Sequence, residues 1–124
     1  MSSMNVGYAR VSTPEQSLDL QLDALTQKGD CIKIYQEVAT GVKTDRPELQ
    51  AMLDMLRPGD TVVVYKLDRI SRSTKHLIEL MDYFEANNIN FVSLNDNIDG
   101  RTASGKLIFR VFAIRAEYER DLLR

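Results

Sequence analysis

Short strand-like and helix-like segments alternate along the chain, and this alternation restricts the possible folds more than any other feature of the sequence. Asn5–Val11 is rich in β-formers and stops at Ser12-Thr13-Pro14, a turn and helix-start signal. Leu18, Leu22 and Leu25 then recur at helical spacing until Gly29. Residues 32–38 form the second strand candidate, and residues 39–46 a loop with Gly and Thr. Pro47 suits the first turn of a helix whose Leu49, Met52, Leu53 and Leu56 make one apolar stripe. After Pro58-Gly59-Asp60, residues 61–65 (TVVVY) read as a strand buried on both faces. Residues 73–88 read as a helix with Leu77, Leu80, Met81 and Phe84 inward, and residues 89–94 as a fourth strand. A long last helix is expected from residue 103 onward.

Such a pattern predicts an α/β fold of three layers, a mostly parallel central sheet with helices on both faces. At 124 residues the chain fits one domain. Residues 1–102 are read as the α/β core, and residues 103–124 as the start of a long helix. No apolar run approaches the ~20 residues of a membrane span, and the start MSSMNVGYAR lacks the basic and apolar regions of a secretory signal. One cysteine, Cys31, and one histidine, His76, offer neither an internal disulfide nor a metal-ligand cluster. The expectation is a cytoplasmic protein with no metal, no cofactor and no membrane partner.

A net charge of −2 argues against a general nucleic-acid coat. Any polyanion site must be local, and residues 66–76 hold Lys66, Arg69, Arg72 and Lys75 against Asp68 alone. In open α/β sheets, ligands bind beyond the carboxyl ends of the strands. Those ends are residues 10–13, 39–46, 67–72 and 95–97, which contain Arg10, Ser12, Arg46, Asp68, Arg69 and Arg72. Arg10 and Ser12 are two apart in an extended segment, so their side chains point the same way. Guanidinium forks match phosphate oxygens and stay charged at any relevant pH. Phosphoryl transfer needs mainly alignment and charge stabilisation. The pattern therefore reads as an anion site with a candidate serine nucleophile. Mid-helix His76 sits apart from the strand ends, which argues against a Ser-His-Asp triad.

The last segment carries surplus apolar surface. Leu107, Val111, Ile114, Tyr118 and Leu122 form one stripe, and Ile108 and Phe112 begin a second. A core-facing stripe covers little more than ~100° of a helix, so both cannot face one sheet. The surplus around Ile108, Phe112 and Tyr118 is expected to meet a second subunit. Residue 124 follows no stop signal, which predicts a natural chain that continues.

GYARVSTPEQSLDLQ (7–21), TGVKTDRPELQ (40–50), VYKLDRISRS (64–73), TASGKLIF (102–109) and AEYER (116–120) resemble, in order along nearly the whole chain, the catalytic domain of small serine recombinases, the resolvase/invertase family. The resemblance implies that Ser12 is the nucleophile that forms a 5′-phosphoserine link to DNA and releases a 3′-hydroxyl. It implies that Arg10, Arg69 and Arg72 clamp the phosphate, that Asp68 is the active-site aspartate, and that Gln21 and Arg46 are accessory positions near the phosphate. Glu119 and Arg120 match a Glu-Arg pair associated with DNA and with intersubunit contacts. Family members use no metal, bind double-stranded DNA at a recombination site as homodimers, and form homotetramers in the synapse. The family's helix-turn-helix DNA-reading domain is not among these residues and is expected beyond them. Two departures are Ser71, where many relatives have glycine, and Arg115, where an aliphatic residue is usual and which bears on the subunit interface.

Plainer readings exist for single residues. Ser12 in Ser-Thr-Pro-Glu-Gln also suits a helix cap, and Arg69 and Arg72 taken alone suit a solvated pair with Asp68. His76 reads as a helix-surface residue, Cys31 as a small buried or edge hydrophobe, and Met52, Met55 and Met81 as core filler. Two other functions fit the same residues: a phosphatase or nuclease using the serine and arginines, and a non-catalytic α/β module that binds an anionic ligand.

Overall fold

The computed structural model describes residues 3–11, 17–38, 46–70 and 74–100, and in the last segment residues 102, 105, 107, 111, 114, 118 and 122. The elements follow in the order β1 (Asn5–Val11), α1 (Ser17–Gln27), β2 (Lys33–Val38), α2 (Pro47–Met55), β3 (Thr61–Val64), α3 (Leu67–Ile70), α4 (Thr74–Ala86), β4 (Asn90–Ser93) and β5 (Ile98–Asp99). The five strands form one sheet in the order β2-β1-β3-β4-β5. The first four strands are parallel, and β5 returns antiparallel to β4 with Ser93 opposite Ile98.

Each face of the sheet has its own core. On one side Val6, Tyr8, Val62, Val64 and Phe91 pack with Leu49 and Met52 of α2, Ile70 of α3, and Leu80 and Phe84 of α4. The Phe84 and Phe91 rings stack at 5.8 Å. On the other side Ala9, Val63 and Val92 pack with Leu25 of α1, joined by the partly buried Leu18 and Leu22. The alternation of Val62, Val63 and Val64 between the two clusters is what a strand covered on both faces requires. The α/β, mostly parallel, three-layer reading holds.

Three details differ from the sequence expectation. β5 has no counterpart there, because two residues leave no period to detect. Residues 67–70 form a short helix where the sequence suggests a loop. Met55 is exposed, its sulfur accepting the Tyr35 hydroxyl at 2.7 Å, so it is not core filler.

The described positions 105, 107, 111, 114, 118 and 122 of the last segment are helical, but no continuous helix over residues 103–124 is described. Tyr118 is exposed as expected. Leu107, Val111, Ile114 and Leu122 are also exposed, so the outward stripe is the one that begins at Leu107. Periodicity identifies residues that share a face, and it does not say which face meets the sheet. Ile108, Phe112, Arg115, Glu119 and Arg120 lie outside the described residues. The segment is attached through Gly105, whose N–H donates to Thr102 Oγ1 at 2.9 Å while Thr102 Oγ1–H donates to the Asp99 carbonyl at 2.9 Å. A Cβ on Gly105 would lie 1.7 Å from the Asp99 oxygen, so only glycine fits there.

Candidate active site

The site is built where β1 outlasts β3. β3 ends opposite Tyr8, whereas β1 continues beside β2 as far as Val11. Arg10 has therefore left the β3 ladder, and its backbone needs another partner. Gln21 of α1 supplies it: the Arg10 N–H donates to Gln21 Oε1 at 3.2 Å, and Gln21 Nε2 donates to the Arg10 carbonyl at 3.1 Å. Gln21 is 1% exposed, and its amide occupies the place of a strand neighbour. Gln21 thus fixes Arg10 rather than presenting a free group to solvent.

The Arg10 side chain is 8% exposed, an unusual burial for a charge. Its Nε–H donates to the Arg69 carbonyl at 3.1 Å. Arg46, at the N-cap of α2, donates from Nη1 to the Ile70 carbonyl. These two carbonyls close α3, where a helix leaves its C=O groups without intrahelical partners and carries partial negative charge. Two guanidiniums from distant chain segments are thus oriented by one short helix that itself carries Asp68 and Arg69. A guanidinium carries five N–H donors in one planar fork.

Below Arg10 lies a second polar group. Tyr8 is fully buried and its hydroxyl donates to Glu37 Oε1 at 3.0 Å. The Glu37 carboxylate, 4% exposed, also accepts the Leu49 N–H on Oε1 at 3.1 Å and the Glu48 N–H on Oε2 at 3.3 Å. Glu37 therefore holds the first turn of α2, and with it Arg46, against β1 and β2. Burial, then the Glu37 charge and hydrogen bond, push the Tyr8 phenol far above its ordinary pKa, against the opposing charges of Arg46 and Arg10. Tyr8 stays a neutral donor.

Ser12 and Arg72 lie outside the described residues, as does the Asp68 side chain. The Arg10 and Arg46 guanidiniums are brought to the end of α3, with Gln21 fixing the Arg10 backbone, and guanidinium forks match the oxygens of an anion such as a phosphodiester.

The resolvase N-terminal domain family matches residues 5–124. The chain belongs to the resolvase family. It is 58% identical over 120 residues to the Transposon Tn917 resolvase of Enterococcus faecalis, covering 97% of this chain and 65% of that protein. It is 47% identical over 120 residues to the serine recombinase gin of Escherichia phage Mu, covering 97% of this chain and 62% of that one. This resolvase-family chain thus spans less than two thirds of the length of these relatives. Among solved structures, the N-terminal catalytic domain of TP901-1 integrase matches with a TM-score of 0.83 and 34% identity, covering 97% of this chain and 98% of that one.

Sequence reasoning misses the two buried residues beside this candidate site, Tyr8 and Glu37. A usable signal is Glu37 itself, a carboxylate among β-formers near the end of β2 and in register with Arg10. His76 also differs from expectation. It is half-buried, and burial followed by the Arg46 charge holds its pKa below the ordinary value, with Glu79 opposing. The fold sets His76 within the field of Arg46, from which the sequence separates it. Cys31 supplies no thiolate: burial, with a smaller push from Asp30, raises its pKa to about 12.

Proposed function

We propose that this domain is the catalytic unit of a site-specific DNA recombinase. The observation that carries the reading is the gripping of α3 by Arg10 and Arg46 on the successive carbonyls of Arg69 and Ile70. It brings the Arg10 and Arg46 guanidiniums to the end of α3, beyond the carboxyl ends of the parallel strands, where α/β folds bind ligands. Kinship with the resolvases and with the gin recombinase supports DNA as the substrate.

In the proposed reaction, Ser12 Oγ attacks the phosphorus, the P–O3′ bond breaks, and the serine proton ends on the departing 3′ oxygen. The product is a 5′-phosphoserine link and a free 3′-hydroxyl, and the reverse attack by a 3′-hydroxyl of an exchanged strand rejoins the DNA. Bond energy is kept in the protein–DNA link. Arg10, Arg69 and Arg72 stabilise the charge that spreads over the phosphoryl oxygens. Asp68 and Arg46 support that clamp, Gln21 holds Arg10, and Arg120 contacts DNA. Residues 1–102 act as the catalytic core, and residues 103–124 begin a helix that serves assembly and DNA contact. Partners are double-stranded DNA, a second subunit on the site and a tetramer in the synapse, with Ile108, Phe112, Arg115, Tyr118 and Glu119 at the interface. Among the described residues no helix is long and apolar enough to cross a membrane, and a DNA substrate puts the protein in the cytoplasm.

The test is incubation of the natural protein with a nicked suicide duplex that traps cleavage. A covalent protein–DNA adduct, lost in Ser12→Ala with DNA binding retained, is the expected result. Arg10→Lys should lower the rate about 10²–10³-fold, because a point charge cannot replace the fork. Free cleaved product would assign a hydrolase, and neither product a binding module.

A further inference from the structure

We infer that Asp96, in the turn between β4 and β5, is a positioning residue for the arginine-bearing helix α3. The inference rests on the DNA-cleavage function proposed above and adds a residue to its machinery. A helix of four residues does not hold itself, because the first turn of a helix costs more order than its hydrogen bonds return. Tertiary anchors must therefore set the place of α3. Three are already evident at its end: Arg10 on the Arg69 carbonyl, Arg46 on the Ile70 carbonyl, and the buried Ile70 side chain.

Asp96 supplies the anchor at the other end. Its Oδ2 accepts the Leu67 N–H at 3.0 Å and the Ser93 hydroxyl at 2.6 Å. Leu67 is the first residue of α3, so its N–H lacks an intrahelical partner and a carboxylate beside it meets the positive end of the peptide dipoles. The turn that presents Asp96 is itself tied down. The Leu94 N–H donates to the Val64 carbonyl at 3.0 Å and the Asn95 N–H to the Tyr65 carbonyl at 2.8 Å, carrying the β3–β4 pairing beyond both strands. Asn97 adopts φ 55°, a left-handed conformation that asparagine tolerates, and its N–H closes the turn on the Leu94 carbonyl at 3.2 Å. Ser93, fully buried in β4, fixes the carboxylate from the sheet side.

Arg69 lies two residues beyond the Asp96 anchor, and its own carbonyl is the Arg10 anchor. Releasing Leu67 lets α3 pivot about its carboxyl end and shifts the Arg69 guanidinium relative to that of Arg10. A misplacement of ~1 Å in a site that works by alignment can cost ~10²-fold in rate. Asp96 does this without touching substrate.

The experiment compares wild type, Asp96→Ala and Asp96→Asn in the natural protein. It follows adduct formation on the nicked duplex, DNA binding, thermal midpoint and hydrogen exchange of the Leu67 amide. Asp96→Ala is expected to slow adduct formation about 10- to 100-fold with DNA binding unchanged and Leu67 exchange accelerated. Asp96→Asn keeps an oxygen acceptor and should return the rate to within about threefold of wild type, a rescue that loss of folding would not give. Wild-type rates in Asp96→Ala overturn the inference, and so does an Asp96→Asn as slow as the alanine variant. If Asp96→Ala does not fold, Ser93→Ala removes the second donor to the same oxygen and should slow the reaction several-fold; an unchanged rate there overturns the inference. Failure of the functional reading is distinct, because wild type then forms no adduct. The Leu67 arm still decides in that case, since unaltered exchange in Asp96→Ala disproves the anchor without reference to activity.

Discussion

In α4, Leu77, Leu80, Met81 and Phe84 recur at helical spacing and pack into the core beside Phe91 and Val62. In the last segment, Leu107, Val111, Ile114, Tyr118 and Leu122 recur in the same manner and remain 54–67% exposed. A stripe of apolar residues thus reports that a face wants covering. What covers it depends on where the preceding turn aims the helix: α4 follows α3 back across the sheet, whereas the last segment leaves from β5 at the sheet edge, hung on Asp99 through Thr102 and Gly105.

The largest effect that could break this contrast is on stability. Phe84→Ala should cost about 3–5 kcal/mol in urea unfolding, because a fully buried aromatic leaves a cavity. Ile114→Ala in the same domain should stay within about 0.5 kcal/mol of wild type. A loss of several kcal/mol from Ile114→Ala would mean that the outward stripe is packed in the folded subunit.

Gly105→Ala sharpens the attachment point. Its Cβ would have to displace the Asp99 carbonyl, so a destabilisation of about 1–3 kcal/mol is expected from the melting midpoint. An unaffected midpoint would show that the segment's start is free to swing away from β5.

If the outward stripe is covered by a second subunit, Ile114→Asp should raise the dimer dissociation constant about tenfold or more, equivalent to ~1.4 kcal/mol, with the monomer fold intact. Sedimentation equilibrium measures this. An unchanged association would assign the stripe to another partner.

The smallest effect concerns pH and belongs to α4 alone. His76 has a lowered pKa in the folded state, so folding favours its neutral form. Between the folded pKa and the unfolded value near 6.5, the unfolded chain binds the extra proton, and stability rises with pH. The contribution is therefore complete above about pH 6.5 and declines as pH falls through that value toward the folded pKa. His76→Gln should flatten this part of the profile of melting midpoint against pH, and an unchanged slope would remove His76 as its source.

Much of the fold is legible without coordinates. TVVVY predicts a strand buried on both faces, and Val62, Val63 and Val64 divide between the two cores as it requires. Arg10, Arg46 and Arg69 are found from their places at strand ends, and three dimensions bring them to one helix end. Tyr8 and Glu37 are harder to find, since a tyrosine and a glutamate among β-formers carry no periodic mark. Their importance is a matter of what the Glu37 carboxylate accepts: the Tyr8 hydroxyl and two N–H groups of α2, eleven to twenty-nine residues away.

The sequence by itself determined the alternation of elements, the faces that its apolar residues share, and the arginine-rich strand ends, because these are set by spacing over a few residues and by intrinsic backbone preference. Tertiary structure alone decided that Gln21 stands in for a strand beside Arg10, that α3 is held by two arginines and an aspartate, and that the stripe from Leu107 faces outward. The first two depend on partners separated by 11 to 59 residues in the chain, whose geometry exists only once the sheet order β2-β1-β3-β4-β5 has brought those segments together, and the third on the sheet edge from which the last segment leaves.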